Sequence, residues 1–309
     1  IVEALLKQFN HSSDMIHAVC FGEVLWDILP TGAKPGGAPM NVAYHLNHLG
    51  INAKIISKVG DDEKGKKLLE FLTENQVATE LVQTSTDYAT GTVIATPGPA
   101  NEMQYDIVKP VAYDFIDVQE AATNAVKNAG CFVFGSLAAR AKHSRDTLLE
   151  LISLAKTKVL DINHRAPHYQ QEVLESFMNH ADILKLNEHE LEIVSDWYAD
   201  ISKFEDKVRL ISDRYQIRQI LVTKGGDGAV YFNGESFFNH PGFKVQVADT
   251  VGSGDSFLAA FLSKYFANAQ PQDCIEFACK LGAFVASQTG GCPHYEIKEE
   301  EIKILKPQD

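Results

Sequence analysis

Several things are scarce in this 309-residue chain. It has five cysteines, an odd number, and none of them forms a C-x-x-C pair. That excludes a disulfide framework and points to a reducing compartment, here the cytoplasm. No apolar run is long enough to span a bilayer. Basic residues are in deficit, with 28 Lys and Arg against 41 Asp and Glu and a formal net charge of -13. Nucleic acid and anionic membrane surfaces are therefore poor partners. A nucleotide is not excluded, because a local site can be positive within a negative whole. Internal repeats, a low-complexity linker and a second-domain boundary are also missing.

What remains, with 45% hydrophobic and 22% charged residues, is an ordinary globular composition able to bury a large core. Residues 1–14, "IVEALLKQFNHSSD", have no basic start and no continuous apolar stretch, so they do not read as a secretory signal. They are expected to be a dispensable extension, with the functional domain covering 15–309.

Short apolar runs alternate with helical spacing. "HAVCFGEVL", "AKIISKVG", "CFVFGSL", "KVLDIN", "ADILKLN" and "QILVTKG" fit strands buried on both faces. "MNVAYHLNHLG", "KGKKLLEFLTENQ", "TLLELISLAKTK" and "KVRLISDRYQ" fit amphipathic helices. The alternation predicts an α/β fold with a mostly parallel sheet and helices on both faces. Ligands in such folds bind at the carboxyl ends of the strands. Two hairpins interrupt the pattern, one around 91–109 and one in "GAVYFNGESFFNHPG". The first is expected to act as a small lid and, through an apolar face, to pair two chains in a homodimer.

Two stretches imitate phosphate loops. "GDDEKGKK" nearly spells G-x-x-x-x-G-K-[ST], but Lys67 stands where the Mg²⁺-binding hydroxyl belongs, and Asp61, Asp62 and Glu63 would repel phosphate. A turn and an acidic helix start are expected there. "VGSGDSF" fails the dinucleotide fingerprint because Phe257 replaces the third glycine.

"DTVGSGDSF" is more informative. Gly252, Ser253, Gly254 and Asp255 precede the helical run "SFLAAFLSKYF", so they stand at a helix N-terminus, where free N–H groups attract anions. Ser253 or Asp255 could simply cap that helix. Capping needs neither glycine, however, and a carboxylate beside phosphate suits a base that deprotonates an attacking hydroxyl. "LNEHE" puts Asn187 and Glu190 on one face, either as water-mediated Mg²⁺ ligands or as a capping box. "VTKGGDG" offers Thr223, Gly225, Gly226 and Gly228 to a nucleotide, or forms a plain hairpin entry. Asp27, expected just past a strand, joins Gly36, Gly37 and Asn41 as a set suited to a polyol. Asn163 and Arg165 lie at another strand end. His45 with His48, and His164 with His168, lack a third ligand nearby and read as packing or surface residues.

Together these motifs resemble the ribokinase-like, or PfkB, carbohydrate kinases over about residues 16–300. "PGGAPMNVAYHLNHLG" with "KVGDDEKGKKLLEFL" is similar to the amino-terminal signature, and "DTVGSGDSFLAAFL" to the carboxy-terminal one, with Ser253 in place of the usual alanine. The resemblance implies a three-layer αβα sandwich with a small β lid and ATP-dependent phosphorylation of a hydroxymethyl group. It implies Asp255 as base and Gly252–Asp255 as anion hole. Asn187 and Glu190 would serve Mg-ATP, while Thr223, Gly225 and Gly228 line the nucleotide. Asp27, Gly37, Asn41 and Arg165 would hold the sugar. A monovalent cation such as K⁺ would sit at Asp249, Val251, Ala286 and Gly291, although "SQTGGCPHY" departs from the commoner pattern there. Within the family, "GEVLWDILP" and "DINHRAPHY" look most like fructokinases. 2-Keto-3-deoxygluconate kinases come next, ahead of nucleoside kinases. A non-catalytic sugar-binding protein on the same fold is the alternative outside enzymes.

Overall fold

The computed structural model describes residues 17–30, 32–97 and 103–295. The expectation for residues 1–14 lies outside them. The chain opens with β1 (His17–Phe21), β2 (Leu25–Leu29), β3 (Gly32–Gly36), α1 (Ala38–His48), β4 (Asn52–Gly60) and α2 (Glu63–Glu74). It continues through β5 (Val82–Ser85), β6 (Gly91–Pro97), β7 (Met103–Ile107), α3 (Glu120–Asn128), β8 (Cys131–Gly135), α4 (Lys142–Ile152), β9 (Lys158–Asp161) and α5 (Gln171–Met178). It closes with β10 (Ile183–Asn187), α6 (Glu188–Asp196), α7 (Phe204–Tyr215), β11 (Gln219–Thr223), β12 (Ala229–Phe232), β13 (Phe237–His240), α8 (Ser253–Phe266) and α9 (Pro271–Ala286).

Nine strands form one sheet in the order β13-β12-β11-β10-β9-β8-β1-β4-β5. Pairing is parallel from β11 to β5, and β12 and β13 add an antiparallel edge. Side chains alternate across a strand, so β1 sends Val19 and Phe21 into one core and Ala18 and Cys20 into the other. A strand wetted on neither side must be apolar throughout, which is why these runs lack the polar alternation of a surface sheet. One core takes Leu148 of α4, Phe177 of α5, Leu191 of α6 and Ile211 of α7. The other takes Met40 of α1, Leu68 of α2, Leu258 of α8 and Ile275 of α9. Helices therefore cover both faces, in three layers.

Two expectations need correction. "HAVCFGEVL" is not one strand. The chain breaks at Gly22 (φ 148°), and β2 leaves for a second sheet of order β3-β2-β6-β7. Asp27 therefore lies inside a strand of that small sheet, not past the end of a core strand. The hairpin β6–β7 forms as expected, but it is only half of the small sheet. The acidic decoy resolves as a cap: Asp62 accepts from Gly65 N at 2.8 Å and opens α2.

Candidate active site

Helix α8 is buried from Asp255 through Leu262, packed against α1, α9 and the sheet, so its first turn is held rigidly. Its N-cap is Gly252 in the left-handed region (φ 76°), and no side chain caps it. Ser253 N makes a long bond of 3.4 Å to Thr250 O, and the next two N–H groups, of Gly254 and Asp255, have no partner among the described residues and face an anion freely. Ser253 donates its hydroxyl to Gly282 O at 3.1 Å, and Asp255 Oδ2 accepts from Asn41 Nδ2 at 2.8 Å. Both capping alternatives open to Ser253 and Asp255 are thereby absent. Any side chain at Gly252 would run into Gly291, so this glycine serves close packing as well as conformation.

Asp255 is 8% exposed. Burial and then repulsion from Asp161 push its pKa up to about 6, against the opposing pull of Lys185, the Asn41 hydrogen bond and Arg165. Such a carboxylate is ionised at neutral pH yet more basic than a surface aspartate, which suits proton abstraction.

The small sheet contributes the facing wall. Asp27 on β2 pairs in register with Lys34 on β3. A Cβ at Gly36 would collide with the Asp27 carboxylate, and one at Gly37 with the Glu23 carbonyl. The glycine pair therefore clears space for one carboxylate and one backbone carbonyl. Glu23 is buried, accepts from Ala38 N at 3.2 Å, and has its pKa lifted to about 7, chiefly by burial. Asp27 is lifted to about 6, again by burial, with Arg165 lowering it and Asp249 and Asp255 raising it. The exposed Arg165 acts on Glu23, Asp27, Asp161 and Asp255 alike, so it stands within electrostatic reach of all four. Asn163, the residue that turns the chain at the end of β9, has φ 41°.

Beneath the helix start lies a buried ion pair. Lys185 Nζ meets Asp161 Oδ1 and Oδ2 at 3.0 and 2.9 Å, and the two residues are register partners on β10 and β9. A Cβ on Gly254 would sit 2.9 Å from Lys185 Nζ, so the ammonium underlies the first turn of α8. Burial works against its charge, but Asp161, Glu190 and Asp255 more than offset that and raise its pKa.

The nucleotide candidates line the carboxyl edge of neighbouring strands. Asn187 and Thr223 are register partners across β10 and β11. Asn187 and Glu190 form a full capping box, with bonds of 2.9 and 2.8 Å. Glu190 also accepts from His164 N at 2.7 Å, so each carboxylate oxygen already takes one backbone N–H. Each keeps a lone pair for a water of a hydrated Mg²⁺. "VTKGGDG" forms the turn of the β11–β12 hairpin. Side chains at Gly225 or Gly226 would meet nothing within 4 Å, whereas Gly228 packs against the His240 carbonyl. Among the described residues no three His, Cys, Asp or Glu side chains gather as a metal cluster.

A buried carboxylate at an uncapped helix start, a fixed cation below it and the Asp27 carboxylate opposite suit phosphoryl transfer to a hydroxyl. Residues 17–298 match the family described as pfkB family carbohydrate kinase. The chain belongs to the pfkB family of carbohydrate kinases. This kinase is accordingly a phosphotransferase acting on a sugar hydroxyl. Curated relatives include Fructokinase-1 of Zea mays, 30% identical over 318 residues, covering 93% of this chain and 97% of the relative. Probable fructokinase-5 of Arabidopsis thaliana is 29% identical with the same coverage. The structure of fructokinase with bound ATP from Xylella fastidiosa superposes with TM-score 0.79 at 21% identity, covering 89% of this chain and 94% of that one. Fructokinase from Vibrio cholerae, in a fructose, ADP and calcium ion bound form, gives 0.76 at 23%, with 90% and 96% covered. The kinase shares their fold.

Sequence reasoning missed Glu23, Asp161 and Lys185. A signal existed for the last two: Lys185 is the one charge within β10, Asp161 ends the apolar stretch of β9, and a charge buried in a sheet covered on both faces must find a partner. Nothing in the local pattern pairs one with the other, because the register between β9 and β10 is a tertiary fact.

Proposed function

We propose that this kinase transfers the γ-phosphoryl group of ATP to the 6-hydroxyl of D-fructose, with Asp255 as the base. The observation that carries the reading is Asp255 itself, buried at the uncapped start of α8 and tuned to a pKa of about 6. Asn41 orients its carboxylate, leaving the other oxygen to accept the sugar proton. The N–H groups from Gly252 to Asp255 receive the charge that develops on the transferring phosphoryl. Asp27 and Arg165, with Asn163 and the Gly36–Gly37 backbone, position the sugar. Thr223, Gly225, Gly226 and Gly228 receive the nucleotide, in line with the ATP bound by the Xylella protein. Asn187 and Glu190 would hold Mg²⁺ through water, and that ion would neutralise phosphate oxygens. All five cysteines are free, which agrees with work in a reducing cytoplasm.

Fructose is favoured over 2-keto-3-deoxygluconate by the relatives' names and by charge. Glu23 is repelled by Asp255, and Asp27 by Asp249 and Asp255, so a sugar acid would bring a further carboxylate to an acidic wall. ADP release measured over a sugar panel checks this. Fructose is expected to have the highest kcat/KM, and a clearly higher value for 2-keto-3-deoxygluconate would overturn the assignment.

Two copies are expected to pair through the small sheet. Its register sets Ile28 beside Ile94 on the face opposite Asp27 and Val93, and Ile94 is 38% exposed. Light scattering at micromolar concentration should give twice the chain mass. A monomer there would rule the dimer out.

A further inference from the structure

We infer that a cavity at the root of the small sheet binds a phosphorylated small molecule of sugar size, and that its occupancy raises the affinity of the kinase for its sugar. The inference rests on the kinase assignment and not on the choice of sugar. The cavity has a volume of about 480 Å³, within the range of about 300–1,000 Å³ usual for small-molecule sites. Three segments wall it: the residues that follow β7, the stretch from Ser136 into α4, and the connection from β9 into α5. None of Asp27, Asn41, Arg165 or Asp255 lines it. Cations dominate its charged groups. Lys109, Arg140, Arg145 and His168 line it, and Asp114 is the one acid there among the described residues. Asp114 is already taken, because Arg140 donates to its two oxygens from Nε at 2.7 Å and Nη2 at 2.9 Å. Lys109 and Arg145 are left with no acid of the wall to neutralise them. In a chain of net charge -13, such a concentration of positive charge is a local exception that selects an anion. Arg145 on α4 offers the planar fork that suits phosphate, and its bond to Ala139 O is long at 3.5 Å. His168, expected to be a packing or surface residue, is held below its ordinary pKa by burial and then by Arg140 and Lys109. Its neutral ring stands among these cations with one N–H to donate. Phe115, Tyr169 and Leu174 line the remainder, which suits an anion carried on a carbon body.

Two walls lead to the active site. Arg140 Nη2 donates to Val108 O at 2.7 Å and so fastens the end of β7 to the turn before α4. Lys109 is the next residue. On the other side, His168 N donates to Arg165 O at 2.7 Å. Ser136 Oγ donates to Ile162 O at 2.8 Å, one residue before Asn163. A phosphate held jointly by Lys109, Arg145 and His168 would tie the small sheet to the segment that carries Asn163 and Arg165. Both parts border the proposed sugar site. Ordering them in advance lowers the entropy lost when the sugar binds, so the two ligands bind cooperatively. Linkage makes the effect mutual: the sugar raises the affinity for the phosphate ester by the same factor.

Glucose 6-phosphate is the probe, with glucose and inorganic phosphate as controls. Calorimetry on the full chain without ATP should give a saturable heat for glucose 6-phosphate. Each control lacks either the anion or the carbon body and should bind about tenfold more weakly. This readout needs no acceptor, so it succeeds or fails independently of the fructose assignment. In the ADP-release assay with the best acceptor of the panel, saturating glucose 6-phosphate should lower the sugar KM about fivefold and leave kcat unchanged. The double variant Lys109→Gln with Arg145→Gln should keep the basal kcat and KM and lose both the heat and the KM effect. Lys109→Glu, at an exposed position, is a second variant that should fold and bind the probe about tenfold more weakly. Unweakened binding in either folded variant, or inhibition competitive with ATP or with sugar, would place the probe in the active site and overturn the inference. Equal affinity for inorganic phosphate, or no heat at millimolar glucose 6-phosphate, would overturn it too.

Discussion

Asp255→Asn is expected to lower kcat by about 10²–10⁴-fold, the usual contribution of a general base. Asn keeps the size of the side chain and can still accept from Asn41, so the geometry of the helix start survives while the proton acceptor is lost. Sugar and nucleotide affinity should change far less, because the N–H donors and the groups around Asp27 are untouched. Ser253→Ala is the comparison variant. It removes a bond to Gly282 O and no group that touches the reacting atoms, so its kcat should stay near wild type. The pH profile supplies a second readout. A base must be deprotonated, so kcat/KM should fall as pH drops below about 6, the value set for Asp255. Stability should run the other way. A carboxyl lifted from 3.8 to about 6 in the fold favours the protonated native state, so its contribution is fully present at low pH and is lost as pH rises through 6. At pH 8 the wild type therefore carries a burden of up to about 3 kcal/mol that Asp255→Asn relieves. The inactive variant should melt a few degrees higher. A folded Asp255→Asn enzyme with kcat within a few-fold of wild type would end the catalytic assignment.

Lys185→Met should produce the largest loss of stability. Removing one partner of a buried ion pair leaves the other uncompensated, at a typical cost of about 3–5 kcal/mol. Asp161 is 2% exposed and would keep neither of its contacts to Lys185 Nζ. The melting temperature at neutral pH should fall by on the order of ten degrees. Lys185 is also the main cation restraining the pKa of Asp255, so its loss should move the acid limb of the activity profile to higher pH. The double variant Lys185→Met with Asp161→Leu removes both charges and should recover most of the stability and bring that limb back toward its wild-type position, because the repulsion of Asp161 goes together with the attraction of Lys185. A single variant that melts with wild type would mean the pair is not coupled as its geometry requires.

Much of this was legible before any coordinates. Continuous apolar runs give away a strand covered on both faces, since the pleat demands it: β1, β8, β9, β10 and β11 fall within such runs, and β4 starts one residue before its own. The helix start at Gly252–Asp255 was readable because two glycines exceed what a cap requires. The split of "HAVCFGEVL" was not readable. Its apolar content is the same whether it stays in one sheet or crosses to another, and only the partner strand of Leu25–Leu29 decides. Asp161 with Lys185 and Glu23 with the Gly37–Ala38 backbone are likewise pairs made by tertiary register. The roles of Gly36 and Gly37 sit between these cases. Their permissiveness was evident, but the carboxylate and carbonyl they make room for became apparent only in three dimensions.

The close approach of Gly252 to Gly291 limits how this protein can drift. A side chain at either position has nowhere to go: at Gly252 it strikes the Gly291 backbone, and at Gly291 it meets Asn41 Nδ2. Displacing the late loop to admit one would also pull on His45 and Cys292. Single substitutions here are blocked from both sides, so change can enter only as linked replacements in segments far apart in the chain.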